Sequence, residues 1–191
     1  MKIIKKFFND KVLLIKLNKF IDNRGYFAEI YNKRNLNLLG IKENFVQDNI
    51  SLSKNKFTFR GIHLQLGPYS QSKILRVIHG KIIDYVVDLR HNSKTFGDYI
   101  NVQLSDKNLK CLYIPKGFGH GLLTLEKNTL ISYKVSNFYS KVNSKTVIYN
   151  DKDINLNLNI FKNKNLTLSQ NDKKGIFLKD LRKIYKNRIK K

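Results

Sequence analysis

The sequence predicts a mainly β, barrel- or sandwich-like protein with one short helix and a basic C-terminal helix, on three observations. Short apolar, β-branched runs recur about every ten residues with turn residues between them. Only two stretches keep a helical period. The 191 residues, 41% apolar and 12% aromatic, suffice for one packed core and are short for two, so residues 1–191 are read as a single domain.

The first expected strand, 12–17, carries Val12-Leu13-Leu14-Ile15 between Lys11 and Lys16; four apolar residues are too few for a signal-peptide core or a membrane span. Strands at 26–31, 44–51 and 57–65 follow, and 73–79 and 81–89 are joined by the tight His79-Gly80 turn. In 81–89, Ile83, Tyr85, Val87 and Leu89 alternate with Asp84, Val86 and Asp88, so one face carries two carboxylates. A sheet that is apolar on one side and sheltered but polar on the other is what a barrel with a ligand cavity needs. The remaining strands are 97–104, 110–114, 121–126, 129–135 and 146–149. Residues 33–39 form the short helix. Residues 176–189 form the basic one, with Ile176, Phe177, Leu178, Leu181, Ile184 and Tyr185 on one face and Lys or Arg elsewhere, packed on the barrel as a lid or tail. No internal repeat or linker divides the chain, and 155–165 comes nearest to low complexity.

The formal charge of +23 points to an acidic partner or to compositional drift. Of it, +8 lies in residues 173–191 and +5 in residues 1–19. Thirty of the 37 basic residues are Lys, and Asn is frequent, which is the mark of a codon bias. A nucleic-acid reader is expected to use the forked guanidinium of Arg at phosphates and base edges, so neither nucleic acid nor membrane is expected as a partner. The single cysteine, Cys111, excludes an intrachain disulfide and a Cys-based zinc site, and a cytoplasmic location is expected.

Two clusters carry chemistry. Arg60-Gly61-Ile62-His63-Leu64-Gln65 lies on one expected strand. Strict alternation puts His63 and Gln65 on one face and Arg60 on the other, unless Gly61 marks a bulge that re-aims them. Pro115-Lys116-Gly117-Phe118-Gly119-His120-Gly121 reads as a glycine-rich turn ending in a histidine. Its Pro-x-Gly-x-x-His spacing resembles the second motif of the cupin jelly-roll superfamily. The first motif there supplies His-x-His to a metal; here the place reads His63-Leu64-Gln65, so no metal and no other cofactor is expected.

Over residues 22–172 the chain resembles a particular family, the dTDP-4-dehydrorhamnose 3,5-epimerases. The resemblance is carried in order by Asp22-Asn23-Arg24-Gly25-Tyr26-Phe27-Ala28-Glu29, Phe45 to Ser51, Arg60 to Gln65, Gln71 to Val77, Asp84 to Arg90, Ser93 to Gly97, Pro115 to Gly121, Tyr133-Lys134, Tyr139, Asn150-Asp151 and Leu168 to Asp172. It departs at Tyr149-Asn150-Asp151-Lys152, where the family has Trp before and Pro after, and in the loop at Gly67-Pro68-Tyr69-Ser70.

The resemblance implies inversion of C3 and C5 beside a C4 ketone in a dTDP-4-keto-6-deoxy sugar. His63 is then the base, Asp172 the carboxylate fixing its tautomer, Tyr133 the acid on the opposite face and Lys73 the cation for the enolate, with His120 sharing the pocket. Arg24 and Arg60 match diphosphate contacts. Glu29, Gln47 and Asn49 match polar positions around the pyrimidine nucleoside, and Phe27 and Tyr139 match stacking faces. A homodimer that exchanges the 24–29 strand is implied as well. Read without the resemblance, Asp172 is equally a helix N-terminal acid, Tyr133 core packing, and Asp84 and Asp88 barrel hydrogen-bond acceptors. The alternatives are a relative inverting one centre and a non-catalytic nucleotide-sugar-binding cupin.

Overall fold

A computed structural model describes residues 1–158 and 165–189. Among these described residues, thirteen strands run in the order β1 (Lys2–Phe7), β2 (Val12–Lys16), β3 (Phe20–Asp22), β4 (Gly25–Phe27), β5 (Gln47–Ser53), β6 (Phe59–Gln65), β7 (Lys73–His79), β8 (Lys81–Asp88), β9 (Tyr99–Ser105), β10 (Lys110–Ile114), β11 (Phe118–Thr124), β12 (Thr129–Val135) and β13 (Ser144–Thr146). Helix α1 (Lys33–Leu38) follows β4, and α2 (Gln170–Lys173) and α3 (Leu178–Ile189) close the chain. A six-stranded sheet, β1-β2-β10-β7-β12-β5, faces a five-stranded one, β13-β6-β11-β8-β9, and β3-β4 stands apart as a hairpin. The strands pair antiparallel throughout both sheets, the arrangement of a cupin-like jelly roll.

The apolar side chains form three layers. Between the sheets lie Val12, Leu14, Leu75, Val86, Leu112, Leu122 and Ile131. The outer face of the five-stranded sheet (Phe59, Leu64, Tyr85, Val87) is covered by Val147, Ile154 and, from α3, Leu178 and Leu181. The outer face of β2 and β10 (Leu13, Ile15, Cys111, Tyr113) is covered by Leu36 of α1 and by Ile41. Burial on both faces explains why β2 is an unbroken apolar run instead of an alternating one. Asp151 ties the covering segment down: its Oδ1 accepts from the Asp153 N–H at 2.8 Å and its Oδ2 from the Leu178 N–H at 2.7 Å, at the start of α3.

Several expected elements shift. The strand expected over 26–31 ends at Phe27, because Glu29 turns away to accept from the side-chain amides of Asn32 and Asn35 at 2.9 and 2.6 Å, beside the Asn32 cap of α1. Strand β1 is unforeseen: it is an exposed, lysine-rich edge strand with no apolar run to announce it. Strand β5 lies two to three residues later than expected. The strand expected at 146–149 is β13, ending at Thr146, and α2 is new. The glycine-rich segment is mostly strand: β11 begins at Phe118, not 121, and His120 sits within it. Gly119 is there for space, since a Cβ would lie 2.5 Å from Leu89 and 2.6 Å from Ile62 side chains. Residues 159–164 of the asparagine-rich tract and the two terminal lysines of the basic tail lie outside the described residues. Among the described residues no helix is long and apolar enough to cross a membrane.

Candidate active site

Where β6 meets β11, His120 pairs with His63 and Leu122 with Arg60, so three steps along β6 match two along β11. The extra residue makes a bulge at Gly61 and Ile62. Gly61 takes φ of +122°, and a Cβ there would come within 2.6 Å of Gly121 Cα and of the His120 carbonyl oxygen. Of the two geometries the sequence left open, the bulged one holds. Arg60 and His63 both line the space between the sheets, while Phe59, Ile62 and Leu64 turn to the other core.

That space is a cavity walled by Ser51, Arg60, His63, Lys73, His120, Leu122, Ile131 and Tyr133. It shares Arg60, His63, Lys73 and Tyr133 with a wider mouth, to which Gln65, Gln71, Tyr139, Ser169, Asn171 and Asp172 belong. His63 comes from the five-stranded sheet and Tyr133 from the six-stranded one, so imidazole and phenol approach the cavity from opposite walls. The few convergent polar groups suit a small organic ligand.

Nε2 of His63 lies 2.6 Å from Oδ1 of the buried Asp172. The carboxylate fixes the ring proton on Nε2 and leaves Nδ1 as the basic nitrogen. Burial pushes the Asp172 carboxyl upward, but hydrogen bonds from His63, from Ser169 Oγ at 2.7 Å and from the Gly61 N–H at 3.3 Å outweigh it and hold the group below its usual range. Asp172 is thus both readings at once, an acid in the first turn of α2 and the partner of His63.

Deeper in, His120 Nε2 is 2.9 Å from Oδ2 of the buried Asp84, whose carboxyl is pushed up by burial against the pull of His120 and Lys73. Burial lowers the Lys73 ammonium to about 8, opposed by the charge of Asp84. The Tyr133 hydroxyl is pushed up by burial, with Arg60 pulling the other way, and stays protonated at neutral pH. Arg60 is held by Ser53 Oγ and the Leu52 carbonyl, both at 3.0 Å. Asp88, the second carboxylate of its strand face, has a different task. Burial would raise it, but Arg90, Ser93 and Thr95 hold it at about 2, which fastens the loop after β8.

The other expected site residues divide into two groups. Gln47 and Asn49, joined at 2.8 Å, lie on the same β5 face as Ser51, and Asn49 pairs with Tyr133 in register. Tyr139 stands at the mouth. Arg24, Phe27 and Glu29 do not line the cavity of their own chain: Arg24 is paired with Asp22 at 2.6 Å, Phe27 is exposed and Glu29 serves the start of α1. Unforeseen as cavity residues are Ser51, Ser169 and Asn171, and so is the pairing of Asp84 with His120. The alternation of β8 and the Ser169-x-x-Asp172 cap spacing were the available signals.

The donor set does not fit a metal. Among the described residues no three His, Cys, Asp or Glu side chains gather to hold one. At the cupin ligand position, the Gln65 amide is committed to the backbone of Tyr69, Phe138 and Ser140.

Between its sheets the protein therefore holds an imidazole and a phenol on opposite walls of one cavity, an arrangement suited to moving protons at a carbon held between them, on a cupin-like jelly roll. A family model described as dTDP-4-dehydrorhamnose 3,5-epimerase matches residues 9–180. The dTDP-4-dehydrorhamnose 3,5-epimerase of Shigella flexneri is 42% identical over 146 residues, 76% of this chain and 80% of its own. Among solved structures, the Bacillus anthracis dTDP-4-dehydrorhamnose 3,5-epimerase with TDP and PPi bound superimposes with a TM-score of 0.87 at 39% identity, covering 92% of this chain and 98% of that one. The Legionella pneumophila dTDP-6-deoxy-D-glucose-3,5-epimerase in complex with dTDP-4-keto-L-rhamnose gives 0.86 at 34% identity, with 93% of each chain covered. The chain belongs to the dTDP-4-dehydrorhamnose 3,5-epimerase family.

Proposed function

We propose that this enzyme inverts C3 and C5 of dTDP-4-keto-6-deoxy-D-glucose to give dTDP-4-keto-L-rhamnose, without metal or nicotinamide. The observation that carries the reading is the carboxylate-bound imidazole of His63 facing the phenol of Tyr133 across a cavity that also holds Lys73. The C4 ketone acidifies the hydrogens on C3 and C5. His63 Nδ1 takes one of them, the C–H electrons move into an enolate, and the negative charge on the C4 oxygen is offset by the Lys73 ammonium. Tyr133 delivers its hydroxyl proton to the carbon from the other face, the enolate collapses to the ketone, and solvent exchange restores His63 and Tyr133. His120, oriented by Asp84, borders the same space.

Arg60 is placed for the diphosphate, and Tyr139, Gln47 and Asn49 for the nucleoside. Arg24, Phe27 and Glu29 join them from the partner subunit of a homodimer. The exposure of the hairpin that carries Arg24 and Phe27, with Phe20, Ile21, Tyr26 and Phe27 at 59, 73, 54 and 70%, supports that assignment. A reducing, cytoplasmic setting fits the free, buried Cys111.

The test is incubation with dTDP-4-keto-6-deoxy-D-glucose in deuterated water, following the C3 and C5 protons by NMR. Exchange at both carbons with an L-configured product is expected. Exchange at one carbon alone makes the protein a single-centre epimerase, and its absence overturns the reading. His63→Asn is expected to lower turnover by about 10²–10⁴-fold.

A further inference from the structure

The cupin pattern has a histidine where this chain has Gln65, and the chemistry above gives that amide no part. Gln65 is buried at the end of β6. Its Nε2 donates to the Tyr69 carbonyl at 2.7 Å and to the Phe138 carbonyl at 3.0 Å, and its Oε1 accepts from the Ser140 N–H at 2.6 Å. One amide thus grips the backbone on both sides of Tyr139, which lines the mouth of the cavity.

We propose that Gln65 is a positioning residue for nucleotide-sugar binding, setting Tyr139 at the mouth through the backbone bonds that flank it. The inference rests on the proposed function, which assigns the cavity to a nucleotide sugar. The geometry calls for an amide. A glutamate would keep the bond from Ser140 but turn an oxygen toward two carbonyl oxygens, and an imidazole has too few groups for all three bonds. A second stitch joins the same two segments: Gln71 Nε2 donates to the Asn137 carbonyl and Asn137 Nδ2 to the Pro68 carbonyl, both at 2.7 Å. Loss of Gln65 therefore releases residues 138–140 while the strands around them stay joined.

The experiment compares the full-length wild type with Gln65→Glu, Tyr139→Ala and the double variant by steady-state kinetics, dTDP titration and thermal melting. Each single variant is expected to raise KM and the dTDP Kd about tenfold, with a much smaller change in kcat. The double variant is expected to be no worse than either single one, because both remove the same contact. Three results overturn the inference: an unchanged KM in Gln65→Glu, effects that multiply in the double variant, or a fall in kcat that tracks a lowered melting temperature. If Gln65→Glu does not fold, Tyr139→Ala still decides, since an unchanged dTDP Kd there removes the contact the inference depends on. A wild type that neither turns over nor binds dTDP overturns the proposed function, whereas full wild-type turnover beside an unchanged Gln65→Glu overturns this inference alone.

Discussion

Lys73, to which the proposed reaction gives the C4 oxygen, carries a charge that burial disfavours. Its pKa of about 8 means that the ammonium in the native cavity is lost as the pH rises past that value, well below the 10.5 of a free lysine. kcat/KM is expected to fall along an alkaline limb centred near 8, and Lys73→Met to show a loss of about 10²–10³-fold with that limb gone from its pH–rate profile. Tyr133→Phe separates removal of the proton from its delivery: proton NMR in deuterated water is expected to show continued exchange without inverted product. For Asp172 the sign is opposite. Its carboxyl is held below 3.8, so the stability it contributes is complete above that pH and is lost as the pH falls through the lower folded value. Asp172→Asn is expected to flatten acid unfolding in that range, measured by circular dichroism.

At the scale of elements, the bulge in β6 does the most. Without it Arg60 would turn into the core beneath α3, and a guanidinium there would be unpaired. Gly61→Ala puts a Cβ against the backbone of β11 at a φ that side chains avoid, so a cost of about 3 kcal/mol or more is expected in denaturant unfolding, together with loss of turnover as His63 moves. Helix α2 is one turn long, yet its Ser169 cap also donates to Asp172, so the end of the chain returns to complete a site begun on β6. The residues of α2 had a visible cap pattern; their arrival at His63, 109 positions earlier, had none.

At the scale of the whole molecule, the β3-β4 hairpin is poorly accounted for by a lone chain, because four large apolar side chains stand in solvent. Sedimentation is expected to give a particle of twice the chain's mass, and Phe27→Asp to shift it toward monomer while weakening turnover, since the same hairpin carries Arg24. Of the 37 basic residues behind the net charge of +23, Arg60 and Lys73 stand on the cavity walls.

The sequence by itself determined the strand periodicity, the buried alternation of β8, the two helical stretches and the ordered motifs that tie the chain to its family. All of these are local patterns, set by side-chain period, turn chemistry and residue type. Tertiary structure alone decided which face Arg60 takes, that the glycine-rich segment is strand and not turn, that Gln65 holds loops together, and that Arg24, Phe27 and Glu29 lie outside their own chain's cavity. Each depends on register or close approach between segments far apart in the chain, and one extra residue in a strand re-aims side chains without leaving a periodic mark.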